Sequence, residues 1–102
     1  MISLSIRYSM CDHLSQASLV SGISLPDWDD LPSVKLLRSL DYYYDCAFNH
    51  HLLDTVIDEV SAWLRYETDR GDPHERADTI RSVRRALQEA SDREIYAVFL
   101  GL

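Results

Sequence analysis

The stretch Ile95-Tyr96-Ala97-Val98-Phe99-Leu100-Gly101-Leu102 decides the fold class of this chain. Read at helical spacing, Ile95, Val98, Phe99 and Leu102 share one face, and Ser91-Asp92-Arg93-Glu94 supplies a capping-box pattern in front of them. The chain is then all-α. Read as a continuous apolar run, residues 95–100 form a buried strand instead. The other end of the chain arbitrates. Ile2, Leu4, Ile6, Tyr8 and Met10 alternate with Ser3, Ser5, Arg7 and Ser9, the period-two pattern of a half-buried strand over residues 2–10. A lone strand needs a partner, and residues 95–100 are the best candidate in the chain. The strand reading is preferred, with all-α as the runner-up.

Inward from these ends the sequence reads mainly as helix. Residues 11–26 fit a short helix or a second strand equally, and Gly22 weakens both readings. Pro26 and Pro32 bracket a loop containing Asp27-Trp28-Asp29-Asp30. A helix is expected from about Asp30, carrying Leu37, Leu40, Tyr44 and Phe48 at helical spacing. A second stripe, Leu53, Val56, Ile57, Val60, Trp63 and Leu64, is amphipathic but rotated by about 130° from the first, so a break is expected at Asn49-His50-His51. Within it Val56, Ile57, Val60 and Leu64 are expected in the core and Trp63 at its margin. Gly71 is a natural terminator, and Asp72-Pro73-His74-Glu75 opens a third helix with Ala77, Ile80, Val83, Leu87 and Ala90 on one stripe. The expected fold is a single α+β domain over residues 1–102, mainly helical, with about three substantial helices and a minor sheet formed by the terminal strands.

Charge narrows the function. The chain of 102 residues carries 10 Lys+Arg against 17 Asp+Glu, a formal net charge of −7. Nucleic-acid and anionic-membrane binding rest on cations, so both classes are disfavoured. The acid excess is concentrated in residues 11–60, where Lys35 and Arg38 face nine acids; residues 61–102 are nearly balanced. No secretory leader or membrane span is read, and Cys11 and Cys46 are expected as reduced thiols, so the expected location is cytoplasmic.

No motif names a chemistry. With three glycines there is no phosphate loop, and no serine sits in a nucleophile elbow. His51, Asp54 and Asp58 share a helical face, but one turn of helix offers too few ligands for a metal. Cys11, His13, Cys46 and His50 contain two Cys and two His without zinc-finger spacing. No metal, cofactor or catalytic residue is assigned.

Two acidic-aromatic clusters are more informative. Asp27, Trp28, Asp29 and Asp30 lie in the proline-bracketed loop. Asp41, Tyr42, Tyr43, Tyr44 and Asp45 lie on the expected first helix, where three successive Tyr span about 200° and cannot all face one core. Aromatic area beside negative charge is the mixture found at protein interfaces. These nine residues are the expected partner-binding set. The third helix carries Arg81, Arg84, Arg85 and Gln88 beside its apolar stripe, read as a salt-bridged surface or as the complement of the acidic half in a homodimer. The leading expectation is a non-enzymatic acidic protein that binds and blocks a basic surface of a protein partner, including the nucleic-acid-binding surface of such a partner. The likeness to immunity proteins and anti-CRISPR inhibitors is one of type, without matched residues. A homo-oligomeric structural or adaptor module, joined through strand 2–10 or the Trp63 face, is the alternative. A metal-dependent helical enzyme using His50, His51, Asp54 and Asp58 is the second alternative.

Overall fold

The computed structural model describes residues 2–7, 20–71 and 74–101. In chain order these form β1 (Ile2–Arg7), β2 (Val20–Ile23), two 3-10 turns (Trp28–Asp30 and Leu36–Ser39), β3 (Cys46–Phe48), α1 (His50–Asp69), α2 (His74–Asp92) and β4 (Tyr96–Leu100). The strands make one antiparallel sheet in the order β2-β1-β4-β3. The first and last strands are its central pair, in register from Ser3↔Leu100 to Arg7↔Tyr96. Tyr96–Leu100 therefore are strand, as β1 demanded, with Ile95 of the expected run just before it, while Tyr8–Met10 lie outside the described residues. So do residues 11–19, whereas Val20–Ile23 are resolved as strand.

The expected architecture is corrected in its proportions: two helices stand on a four-stranded antiparallel sheet, not three helices beside a minor one. The helix expected from Asp30 to Phe48 does not form. Leu37, Leu40 and Phe48 are buried as that stripe required, but Tyr44 is exposed, and the buried three reach the core from one 3-10 turn with its cap and from a strand. A tertiary contact overrides the local periodicity. Glu59 of α1, itself buried, accepts the Leu36 and Leu37 N–H groups at 3.1 and 2.9 Å, holding the second 3-10 turn against α1. Leu40 is already extended, and Cys46–Phe48 pair with β4 as Cys46↔Phe99 and Phe48↔Ala97.

The break at Asn49 is the true start of α1. Asn49 caps it by accepting the His51 N–H at 3.0 Å. Gly71, in the left-handed region at φ +70°, ends it, with its N–H on the Thr68 carbonyl. Asp72 and Pro73, the front of the expected third-helix cap, lie outside the described residues. The pattern Ser91–Glu94 does not begin a helix; it ends α2. Glu94 takes φ 56°, its N–H meets the Ser91 carbonyl, and the Ile95 N–H reaches Ala90. This is a Schellman closure, sealed by the buried Ala90 and Ile95.

Both helices pack on the sheet, α2 against β1, β2 and β4, α1 against β3 and β4. Leu53, Val56, Val60 and Trp63 of α1 meet Ile80, Val83, Leu87 and Ala90 of α2 in one core with Leu4, Phe48 and Phe99. Trp63 is fully buried rather than marginal, and Ile57 is only half-buried. β1 has a neighbour on each edge. Ile2–Arg7 and the Trp63 ring are thus covered within the chain, while Tyr8–Met10 of the expected strand 2–10 lie outside the described residues. Among the described residues no helix is long and apolar enough to cross a membrane.

Candidate interaction surface

The loop before β3 presents aromatic rings. Tyr43 and Tyr44 are 74% and 73% exposed, while their backbone is pinned on three sides. The Asp41 carboxylate accepts the Tyr43 N–H at 2.7 Å, closing a local turn. Tyr42 turns inward, and its hydroxyl accepts the Leu25 N–H at 2.7 Å. Asp45 accepts the Gly101 N–H at 2.9 Å, tying the loop to the end of β4. Gly101 is required at that contact, because a Cβ there would lie 2.5 Å from the Tyr44 nitrogen. No cation lies within ion-pair distance of Asp41 or Asp45 among the described residues. Three successive Tyr do have to diverge, as expected, but in a turn rather than on a helix.

The Trp28 loop is built differently. Asp27 accepts the Asp29 N–H and caps the first 3-10 turn. Trp28 is half-buried, edge-on to Trp63 at a centroid distance of 5.4 Å. Arg38 crosses beneath it, donating to the carbonyls of Trp28, Leu31 and Val34 and pairing with Asp29 at 3.5 Å. Asp30 accepts the Tyr66 hydroxyl at 2.8 Å, and Arg70 donates to that oxygen at 2.7 Å while lying over the Tyr66 ring. This hydrogen bond to Asp30 pushes the Tyr66 phenol above its ordinary pKa. The nine expected residues thus divide into two parts. Asp41–Asp45 is an outward feature whose acids meet no cation among the described residues; Trp28 packs against Trp63, and Asp29 and Asp30, though exposed, are engaged by Arg38 and Tyr66. The two parts meet where Tyr42 grips Leu25, two residues before Asp27.

The other candidate sets do not assemble. Cys46 sits in β3 and His50 opens α1, so they share no helix face. Cys11 and His13 lie outside the described residues. Burial raises the Cys46 thiol above its ordinary pKa. His51, Asp54 and Asp58 are all exposed on α1, and no group of three or more His, Cys, Asp or Glu among the described residues is placed to hold a metal ion.

Two acids counted in the external field are in fact internal. Glu59 holds the Leu36 turn, and Glu67, 1% exposed, accepts the Trp63 indole N–H at 3.2 Å and lies 2.9 Å from Arg76. Arg76 and Trp63 line an open pocket of about 240 Å³ with Gly22, Ile23, Ser24, Thr79 and Ile80. The apolar phase of α1 held the signal for both: Glu59 precedes Val60 and Glu67 follows Trp63 by one turn, so each falls on the buried stripe. Comparison with protein families, curated proteins and solved structures finds no match for this chain.

Proposed function

We propose that the chain is a non-enzymatic binding protein that occludes a basic surface on a protein partner, with Tyr43 and Tyr44 as its anchors. One observation carries the reading: two adjacent, exposed tyrosine rings stand on an anchored loop between two carboxylates that meet no cation among the described residues. Exposed aromatic area on a pre-ordered backbone costs little entropy to dock. Asp41 and Asp45 add complementarity to Arg or Lys, and Tyr rings accept a guanidinium over their faces. Trp28, half-buried edge-on to Trp63, packs against the core and is not taken as an anchor.

The test is capture by the immobilised full chain from its host lysate, at low and physiological salt, followed by titration of each purified captured protein. The Tyr43→Ala/Tyr44→Ala double variant is the comparison; both rings are exposed, so the fold tolerates it. The expected result is a basic protein whose binding weakens with salt and falls about 30-fold or more in the variant, the scale of an interface hot spot. Equal binding of wild type and variant at both salts overturns the reading.

A further inference from the structure

The outer seam of the helix pair carries the opposite charge. Arg81, Arg84, Arg85 and Gln88 follow each other at i, i+3, i+4 and i+7, which puts them on one face of α2. With Ile57 of α1 they line an open groove of about 320 Å³. A second hollow of about 290 Å³ continues it, sharing Arg81 and Arg84 and adding Arg65, Ser61, Thr68 and Asp69. Arg81 pairs with Asp78 at 2.9 Å at one end, and Gln88 donates to Asp92 at the other. Between them Arg65, Arg84 and Arg85 meet no acid within ion-pair distance among the described residues. Arg84 is half-buried and Arg85 exposed.

Like charges at i, i+3 and i, i+4 repel, and a chain with 17 acids had ample means to neutralise them. The guanidinium fork matches a carboxylate or phosphate with two parallel hydrogen bonds, and several forks around one hollow suit an anion of several charges. The half-buried Ile57 gives the hollow an apolar wall, and Ser61 offers a hydroxyl at its far end, where the Thr68 hydroxyl donates to the Leu64 carbonyl at 2.8 Å. The hollow has the size of a small-molecule site. A long polyanion such as nucleic acid is opposed by the net charge of −7, which a compact ion meets far less.

We infer that the Arg65–Arg81–Arg84–Arg85 groove is a binding site for a small polyvalent oxyanion, a polyphosphate or polycarboxylate group. The inference is independent of the Tyr43–Tyr44 loop. Isothermal titration of the full chain at low ionic strength with inorganic tripolyphosphate, and separately with citrate, tests it. Wild type binds at least one of the two, and Arg84→Gln/Arg85→Gln weakens that binding about tenfold or more. Arg84→Lys/Arg85→Lys, which keeps charge without the fork, falls between. Arg93→Gln, in the turn just past the end of α2 and outside the groove, leaves the affinity unchanged. Tighter tripolyphosphate assigns a phosphate-bearing ligand, and tighter citrate a polycarboxylate. Absence of binding, or equal binding by wild type and the Arg84→Gln/Arg85→Gln variant, overturns the site. Should the double variant fold poorly, Arg85→Gln alone, at an exposed position, applies the same criterion.

Discussion

Glu94 is the non-glycine residue with positive φ among the described residues, and it closes α2 where glycine is usual. An L side chain in the left-handed region is strained, and here the Schellman bonds are made by the backbone N–H groups of Glu94 and Ile95, independently of the side chain. Glu94→Gly should therefore stabilise the chain, by about 0.5–1 kcal/mol after glycine's greater entropy loss is discounted. Urea unfolding of the two proteins reads this; a lower midpoint for the variant would refute it. Gly101 stands in the reverse situation. Its missing Cβ admits the Tyr44 backbone, so Gly101→Ala should cost about 1–3 kcal/mol through overpacking and displace the tyrosine loop. Tyr66 offers a test by titration. The Asp30 carboxylate accepts its hydroxyl proton, which holds the phenol protonated above its ordinary range. Asp30→Asn removes the charge, so the Tyr66 pKa should fall, seen as earlier tyrosinate absorbance on raising pH. An unchanged or higher value would mean that the Asp30 carboxylate is not what holds the phenol up.

At the scale of elements, the helices and the central strand pair were legible because their period and their ends agree. α1 runs from the Asn49 cap to Gly71 with one apolar stripe between, and α2 and β1 show single clear periods. Residues 30–48 misled because their apolar spacing matched a helix while their ordering contacts come from far along the chain. Glu59 lies 22 residues from the Leu37 N–H it accepts, and β3 exists by pairing with β4. Spacing within 30–48 contains neither contact. The tyrosine cluster was legible as an exposed aromatic feature for the right steric reason, on the wrong backbone. The inward acids were missed because acidic residues were counted as surface charge without reference to the phase of α1. The same phase corrects the core expectation. Leu53 is fully buried and Ile57 only partly so, which orders their truncations. Leu53→Ala should cost about 2–5 kcal/mol, and Ile57→Ala distinctly less. Chemical denaturation of both variants checks the order, and an equal or reversed cost would place Ile57 deeper than the packing does.

Over the whole molecule, charge is sorted by place rather than spread. Glu59 and Glu67 are withdrawn into the interior, Asp29 and Asp30 are engaged by Arg38 and the Tyr66–Arg70 pair, and Asp41 and Asp45 remain open beside the exposed rings. Arg65, Arg84 and Arg85, without an acid in ion-pair distance among the described residues, collect with Arg81 in the groove of the helix pair. Long-range attraction depends on the net field, whereas residence depends on the contacts that close, so the two regions should separate kinetically. For a basic partner engaged by the loop, Tyr43→Ala/Tyr44→Ala should leave the association rate nearly unchanged and raise the dissociation rate by most of the 30-fold loss. Arg84→Gln/Arg85→Gln should do the opposite: removing two positive charges outside the contact makes the field more negative, so association quickens modestly while dissociation stays as it was. The gain should shrink toward physiological salt, where the Debye length is about 8 Å and distant charges are screened. Real-time binding at two ionic strengths separates these outcomes. If the arginine variant instead dissociates faster, the partner covers the helix groove. If the tyrosine variant changes association alone, the rings are not the anchors and the loop is not where the partner closes.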